Sequence, residues 1–508
     1  MEHETIDSKE ENSTVLSDGP DWTFELLDLY DKEIARVANI YHLDIYPNQI
    51  EVITAEQMMD AYASVGMPIG YSHWSYGKKF IETELNYKRG AIGLAYEIVI
   101  NSDPCISYLM EENSITMQAL VIAHACYGHN SFFKGNYMFQ SWTDASSIID
   151  YLVFAKNYVL NCELKYGIDN VEEVLDSCHA LMNYGVDRYK RPRKLSLNAE
   201  KQKQNDRAEY LQSQINDLWR TVPKGNRDEE VEVESNFPVQ PEENLLYFIE
   251  KNSPILEPWQ RELVRIVRKI SQYFYPQKQT QVMNEGWATF WHYTLLNHLY
   301  DEKKLTDKFM MEFLHNHSSV VMQVPYNHPG YSGINPYALG FAMFKDLRRI
   351  CESPDEEDRE WFPDLVDTDW IESLHFAMRN FKDESFISQY LSPKVIREFK
   401  LFSILDDEKN SFYQVTDIHD EVGYKIIREK LSKQYNLSFL EPNIQVFNVD
   451  IKGNRSLTLR YVPHNDIPLG ESKEEVLKHI YRLWGFDIYI EELKENGDTV
   501  SLGKCSEV

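Results

Sequence analysis

Val121-Ile-Ala-His124-Ala-Cys-Tyr-Gly128-His129-Asn130 sets two histidines in a short apolar stretch, with a glycine between them. Ile115 to His124 reads as a buried helix that leads straight into the pair. Spacing decides what this stretch can do. Five residues on an ideal α-helix turn two side chains about 140° apart, onto different faces. Zinc peptidase helices instead carry His-Glu-x-x-His, with the histidines four apart on one face. One extra residue is absorbed by a π-bulge, a distortion that recurs at functional sites. Gly128 lowers its cost. Two readings stay open: the helix departs from α geometry and His124 and His129 share a ligand, or His124 packs in a core and His129 caps a helix end.

Two distant stretches bear on the choice. Asn284-Glu285-Gly-Trp-Ala-Thr-Phe-Trp-His292 supplies a carboxylate and a third imidazole. Two histidines and one glutamate are a common catalytic-type zinc ligand set with one open position. Glu285 and His292 lie seven apart on one helical face, but roughly 10 Å apart along the axis. Glu285, with room left by Gly286, is therefore the expected ligand, and His292 a hydrogen-bond partner or substrate contact. The alternative for a lone Glu285 is a helix-start acid stabilised by the dipole. Gly333-Ile-Asn335-Pro-Tyr337-Ala-Leu-Gly340 reads as a turn entering an apolar helix, with Pro336 at its first position. Tyr331, Asn335 and Tyr337 are residue types that orient a substrate or stabilise an oxyanion. His73, between Tyr71 and Trp74, is a further nitrogen ligand or a stacked aromatic. His298, His315, His317, His375, His419 and His479 show no partner pattern and read as structural or exposed.

Composition bounds the rest. The 508 residues are 43% hydrophobic and 13% aromatic, enough for a large core in two or more domains. A net charge of −29 argues against general binding to nucleic acid or anionic membrane. No apolar run approaches a membrane span, and Met1 to Gly19 lacks the features of a signal peptide. Cys105, Cys126, Cys162, Cys178, Cys351 and Cys505 show no paired spacing, which fits reduced thiols in a cytoplasmic protein. The chain has no G-x-x-x-x-G-K-[ST] and no strand followed by G-x-G-x-x-G, so nucleotide-binding readings fail.

Periodicity predicts a mainly helical chain. Helices are expected near 22–42 (capped by Asp21), after Thr54, after the aromatic turn at Tyr71, and at 144–163, 171–183, 244–250, 259–275 and 285–300. A short strand is expected over 94–100, and a solvated loop at the charge run from Pro354. Residues 1–20 read as a disordered tail, 21–400 as a helical domain with a surface excursion at 188–242, and 401–508 as a small α+β domain. That last part predicts a helix at 421–434, a hairpin at 444–462, a helix at 473–484 and a strand at 486–492.

Leu16-Ser-Asp-Gly-Pro-Asp-Trp22, His124-Ala-Cys-Tyr-Gly-His129-Asn-Ser-Phe-Phe133, Met283-Asn-Glu-Gly-Trp-Ala-Thr-Phe-Trp-His292, Ser332-Gly-Ile-Asn-Pro-Tyr-Ala-Leu-Gly340 and Leu483-Trp-Gly485 resemble the stage V sporulation protein R (SpoVR) family, in its YcgB-like branch. The resemblance covers nearly the whole chain. It implies a part in spore cortex formation, or in stress or starvation response. It also implies a PrkA-type serine kinase and a YeaH/YhbH-type protein as partners. The motif order is similar, more distantly, to helical gluzincin-type zinc peptidases. That likeness implies a gluzincin-type helical scaffold, with His124, His129 and Glu285 as ligands and Tyr337 facing substrate. The expected cofactor is a divalent metal, zinc first, with manganese or iron suiting the same donors. The peptidase motif has a glutamate after its first histidine as general base; here that position is Ala125. Loss of a general base costs about 100- to 10,000-fold, so Glu97, His292 or His73 would have to substitute. The expectation is a metal-dependent hydrolase-like protein acting on an amide-type bond. The alternatives are a non-catalytic partner of the kinase system and a redox enzyme at the same ligands.

Overall fold

A computed structural model describes residues 15–17, 19–64, 69–88, 97–189, 202, 237–238, 240–405, 414–437, 441–463, 469–470, 472–493 and 499–506. The chain is mainly helical, with a small strand-containing C-terminal part. Its contacts group it into two units, 1–158 with 275–437 and 159–274 with 438–508. The expected break at 400 falls inside the first unit. Most of the expected excursion at 188–242 lies outside the described residues. No helix among the described residues is long and apolar enough to cross a membrane. All six cysteines are free.

In the first unit, α1 (Phe24–Ile40) starts at Thr23, whose Oγ1 accepts from the Leu26 N–H. Asp21 does not cap it. Leu27, Tyr30, Ile34 and Val37 form its buried stripe. The described end of the expected tail is pinned: Leu16 N donates to Lys304 O, and Ser17 Oγ meets the Tyr30 hydroxyl at 2.9 Å. Strands β1 (Asn48–Ile53), β2 (Glu97–Ile100) and β3 (Cys105–Met110) form a sheet ordered β1-β3-β2. β1 runs parallel to β3 and β2 antiparallel to it. Between β1 and β2 come α2 (Ala55–Ala63), begun by a Thr54–Gln57 capping box, and α3 (Trp74–Lys88).

Next comes α4 (Ile115–Val121), all of it buried, which passes directly into a π-helix over Ile122–His129. Asn130 ties the end of this π-helix to the start of β1 through Tyr46 and Asn48. Opposite lies α5 (Gln281–Asp301), apolar on nearly every side, with Trp287 and Trp291 fully buried. α6 (Asp307–Val320) and α7 (Pro336–Glu352) follow, the latter capped by Asn335 with Pro336 at N1. Glycines set how close these helices come. A Cβ on Gly128 would lie 2.5 Å from Ala288 Cα, and one on Gly286 would lie 2.4 Å from Gly340 Cα. Gly286 thus admits α7 rather than leaving space beside Glu285.

The charge run after Pro354 is not a loop. It forms α8 (Glu356–Trp361), where Asp355 and Asp358 make a capping box and buried Asp358 takes a two-pronged pair from Arg349. Farther on, α9 (Asp383–Tyr390) places buried Asp383 at the start of α5, where its oxygens accept from Val282 N at 2.9 Å and Met283 N at 2.8 Å. A short hairpin, β4 (Ser403–Leu405) with β5 (Gln414–Asp417), precedes α10 (Glu421–Gln434).

The second unit carries a four-stranded sheet, β6 (Ile444–Val449), β7 (Leu457–Tyr461), β8 (Ile488–Leu493) and β9 (Thr499–Cys505), in that order. β6 and β7 are the expected hairpin; β8 pairs parallel to β7 after the crossover helix α11 (Lys473–Trp484). Ser253 Oγ donates to Leu483 O at 2.7 Å and Phe248 stacks on Trp484, which anchors Leu245–Asn252 to the end of α11.

Candidate metal centre

The π-helix answers the spacing problem. Its backbone bonds run from i to i+5, so residues five apart come onto one face. The His124 and His129 rings sit edge to face with centroids 4.6 Å apart. Both turn Nε2 toward carboxylates. His124 Nε2 lies 3.3 Å from Glu97 Oε1 and 3.7 Å from Glu285 Oε2, and His129 Nε2 lies 3.4 Å from the same Glu285 oxygen. One ligand atom from each of Glu97, His124 and His129 falls within 4.8 Å of the others. Glu97 arrives as the first residue of β2, and Glu285 on the first turns of α5.

The donor chemistry fits a divalent cation. Two imidazoles and two carboxylates converge, and Glu97 Oε2 and Glu285 Oε2 are buried without a hydrogen-bond partner among the described residues. A buried unsatisfied polar atom costs about 1–3 kcal/mol, more when charged, and a bound cation would remove that cost. The far nitrogens are also held, as ligating imidazoles require. His129 Nδ1 meets Asn284 Oδ1 at 2.9 Å, and His124 Nδ1 meets His292 Nδ1 at 2.9 Å. His292 Nε2 in turn meets His317 Nδ1 at 2.8 Å.

The electrostatics separate the two acids. Burial would raise Glu285, but His129 and His124 overcome it and hold its carboxyl well below the usual range. For Glu97 burial wins and the carboxyl is raised, the histidines offsetting it only in part. Such splitting of neighbouring carboxylates is the pattern that suits paired acids to different roles. Burial pushes the His129 imidazole toward neutrality, but Glu285, then Glu97 and Asn284, hold it up at about 9. Burial drives His292 well below its ordinary value, and the neighbouring histidines add to this.

A cavity of about 700 Å³ opens over the donors, walled by Tyr62, Met117, Phe133, Val320, Asn335 and Tyr337 among others. Tyr337 stacks on His124 with centroids 6.2 Å apart, and its hydroxyl, raised by burial and then by Glu285, lies against that carboxylate. Asn335 reaches the wall, but its amide is committed: Nδ2 donates to Val320 O and Met322 O, and Oδ1 caps Tyr337 N. His73 accepts at Nδ1 from Ser75 N at the start of α3 and packs on Trp74 and Tyr76; it is not among the residues that line the cavity. Tyr331 sits in an exposed turn. His317, which read as structural, joins the site from behind. Its signal was a histidine on the apolar stripe of α6, with Phe309, Met310 and Phe313.

Comparison with known proteins places the chain. A family model described as "SpoVR like protein" matches residues 21–440, and one described as "SpoVR-like C-terminal domain" matches 442–495. The Escherichia coli (strain K12) protein named "Uncharacterized protein YcgB" is 68% identical over 501 residues, covering 99% of this chain and 98% of that protein. No solved structure matches. With models spanning its length and a relative this similar, the chain belongs to the SpoVR family.

Proposed function

We propose that this chain binds one divalent metal, zinc first, through His124, His129 and Glu285, and works as a metal-dependent hydrolase-like protein on an amide or peptide-type bond. The observation that carries the reading is the convergence of both Nε2 atoms on a buried, partnerless Glu285 oxygen at the floor of a cavity. The motif order, similar to that of gluzincin-type peptidases, supports it. A bound metal would supply Lewis-acid polarisation of the scissile carbonyl.

The other roles fall to this chain's own groups. Ala125 cannot accept a proton, but Glu97 stands 3.3 Å from His124 Nε2 with a raised carboxyl and a partnerless oxygen. Its Oε2 takes the proton from the attacking water. Tyr337, at the cavity wall beside Glu285, donates its hydroxyl to the substrate oxygen. The test is a panel of amide substrates with zinc-loaded protein. Glu97→Gln should keep its metal and lose turnover by about 100-fold or more. Full metal content with no turnover on any amide would sink the hydrolase reading.

Ala125 favours a second reading: a non-catalytic partner of a PrkA-type serine kinase and a YeaH/YhbH-type protein. Capture of those two proteins that survives His124→Ala would support it. The resemblance stated above points either reading toward sporulation, or toward stress or starvation response, and the six free cysteines suit the cytoplasm.

A further inference from the structure

The two histidines of the π-helix are held from behind by groups of different kinds. His129 Nδ1 donates to Asn284 Oδ1, and an amide oxygen only accepts, so that chain of bonds stops there. His124 Nδ1 meets a second imidazole, His292, at 2.9 Å, and His292 meets a third, His317, at 2.8 Å. All three rings are at most 5% exposed. His317 lies in the last turn of α6, packed by Tyr293, Phe313 and Phe341. An apolar core would place leucine or phenylalanine at such positions, and one partner would suffice to fix the His124 ring.

A neutral imidazole has one N–H and one bare nitrogen. A chain of three therefore has a direction, and the end facing the carboxylates sets it. With its proton on Nε2, toward Glu97 Oε1, His124 accepts at Nδ1 from the His292 Nδ1–H. His292 then accepts at Nε2 from the His317 Nδ1–H. With Nε2 engaged by a cation, the His124 proton must sit on Nδ1, and both other rings must carry theirs on Nε2.

We propose that His124, His292 and His317 form a proton relay from the donor set to the end of α6, and that its direction reverses when a cation binds. The inference rests on the metal reading above. The proton count balances. One proton leaves His124 Nε2 for water in the cavity; the His292 Nδ1 proton passes to His124 Nδ1; the His317 Nδ1 proton passes to His292 Nε2; and His317 Nε2 takes one back from water, so solvent gains one proton and gives one up. Three protons are held before and after, and every ring stays neutral. His292 and His317 are thus positioning residues: they lock the His124 Nε2 outward and carry the compensating proton in from behind. Asn284 can do the first for His129 but not the second.

The test is NMR of protein labelled with ¹⁵N-histidine, with and without one equivalent of zinc, counting bound zinc in the same samples by mass spectrometry. His317→Gln assigns the His317 signal. In the wild type, zinc should convert His317 from the Nδ1–H to the Nε2–H form. His292→Gln should still bind zinc, about 10- to 100-fold more weakly, and its His317 should not convert. Zinc bound with His317 unchanged in the wild type, or conversion that persists in zinc-bound His292→Gln, overturns the relay and leaves the metal centre standing. Absence of bound zinc in the wild type removes the metal reading and the relay with it. Should His292→Gln fail to fold, the wild-type conversion alone decides.

Discussion

The C-terminal sheet and the π-helix region are both well buried, but they are filled with different chemistry. β7 and β8 alternate, β6 does so up to a bulge after Val446, and apart from Glu492 at the end of β8 their buried residues are apolar: Val446, Leu457, Leu459 and Ile488 are fully buried. Around the π-helix the interior holds His124, His129, Asn284, His292 and His317, with Glu97 and Glu285 beside them. Burying a charge costs several kcal/mol even when it is paired. The sheet's apolar interior adds stability. That of the π-helix region gives up stability to hold acids and bases together, the clustering of perturbed groups that is found at functional sites.

The largest contrast comes from truncating one residue in each place. His124→Ala should lose all bound metal, while Leu459→Ala should cost about 2–5 kcal/mol of stability and keep wild-type metal content; metal analysis beside urea unfolding checks both. A smaller effect should join the two properties. At Gly340 a Cβ would meet Val282 O at 2.1 Å, so Gly340→Ala should cost about 1–3 kcal/mol through overpacking. It should also displace α5 enough to weaken metal retention, which no substitution in the sheet should do.

Asp383→Ala should cost about 1–3 kcal/mol by leaving the Val282 and Met283 N–H groups unpaired. Burial raises the Asp383 carboxyl to about 7 against those backbone donors, from an ordinary 3.8. Between these values the folded chain holds a proton that the unfolded chain has lost. This group's contribution to stability is therefore greatest below pH 3.8 and declines as the pH rises through about 7. Asp383→Asn should remove that part of the slope. The smallest effect separates two caps: Thr23→Ala should cost about 1 kcal/mol, and Asp21→Ala should change stability by less than about 0.5 kcal/mol, both read from thermal melts.

What could be read from the sequence follows the same division. Helices α10 and α11 and the β6–β7 hairpin agree with their periodicity, because one polar face and a local turn define each. β1 and β3 escaped notice. β3 is buried along almost its whole length, without alternation, and its partner β1 is parallel and distant in the chain. At the candidate centre, His124, His129 and Glu285 were nameable from motifs, Glu97 only as one of three substitutes for the base missing at Ala125, and the π-helix only as the condition for the histidines to meet. Asn284 stood inside a quoted motif without a role. His317 stood on an apolar stripe but showed no partner pattern, because its partner, His292, is a tertiary neighbour on another helix. The cap at Thr23 and the helix at Glu356–Trp361 were hidden by nearby residues of the same chemistry, Asp21 and an acidic run.

The central claim is that the π-helix, β2 and the start of α5 together form one metal centre. Anomalous diffraction at the zinc edge, from crystals grown with zinc, tests it most directly. The account predicts a single strong peak about 2.0–2.1 Å from both His124 Nε2 and His129 Nε2, with Glu285 completing the set and the peak absent in Glu285→Ala. Zinc bound elsewhere, with the two histidines and Glu285 touching only one another, would contradict it.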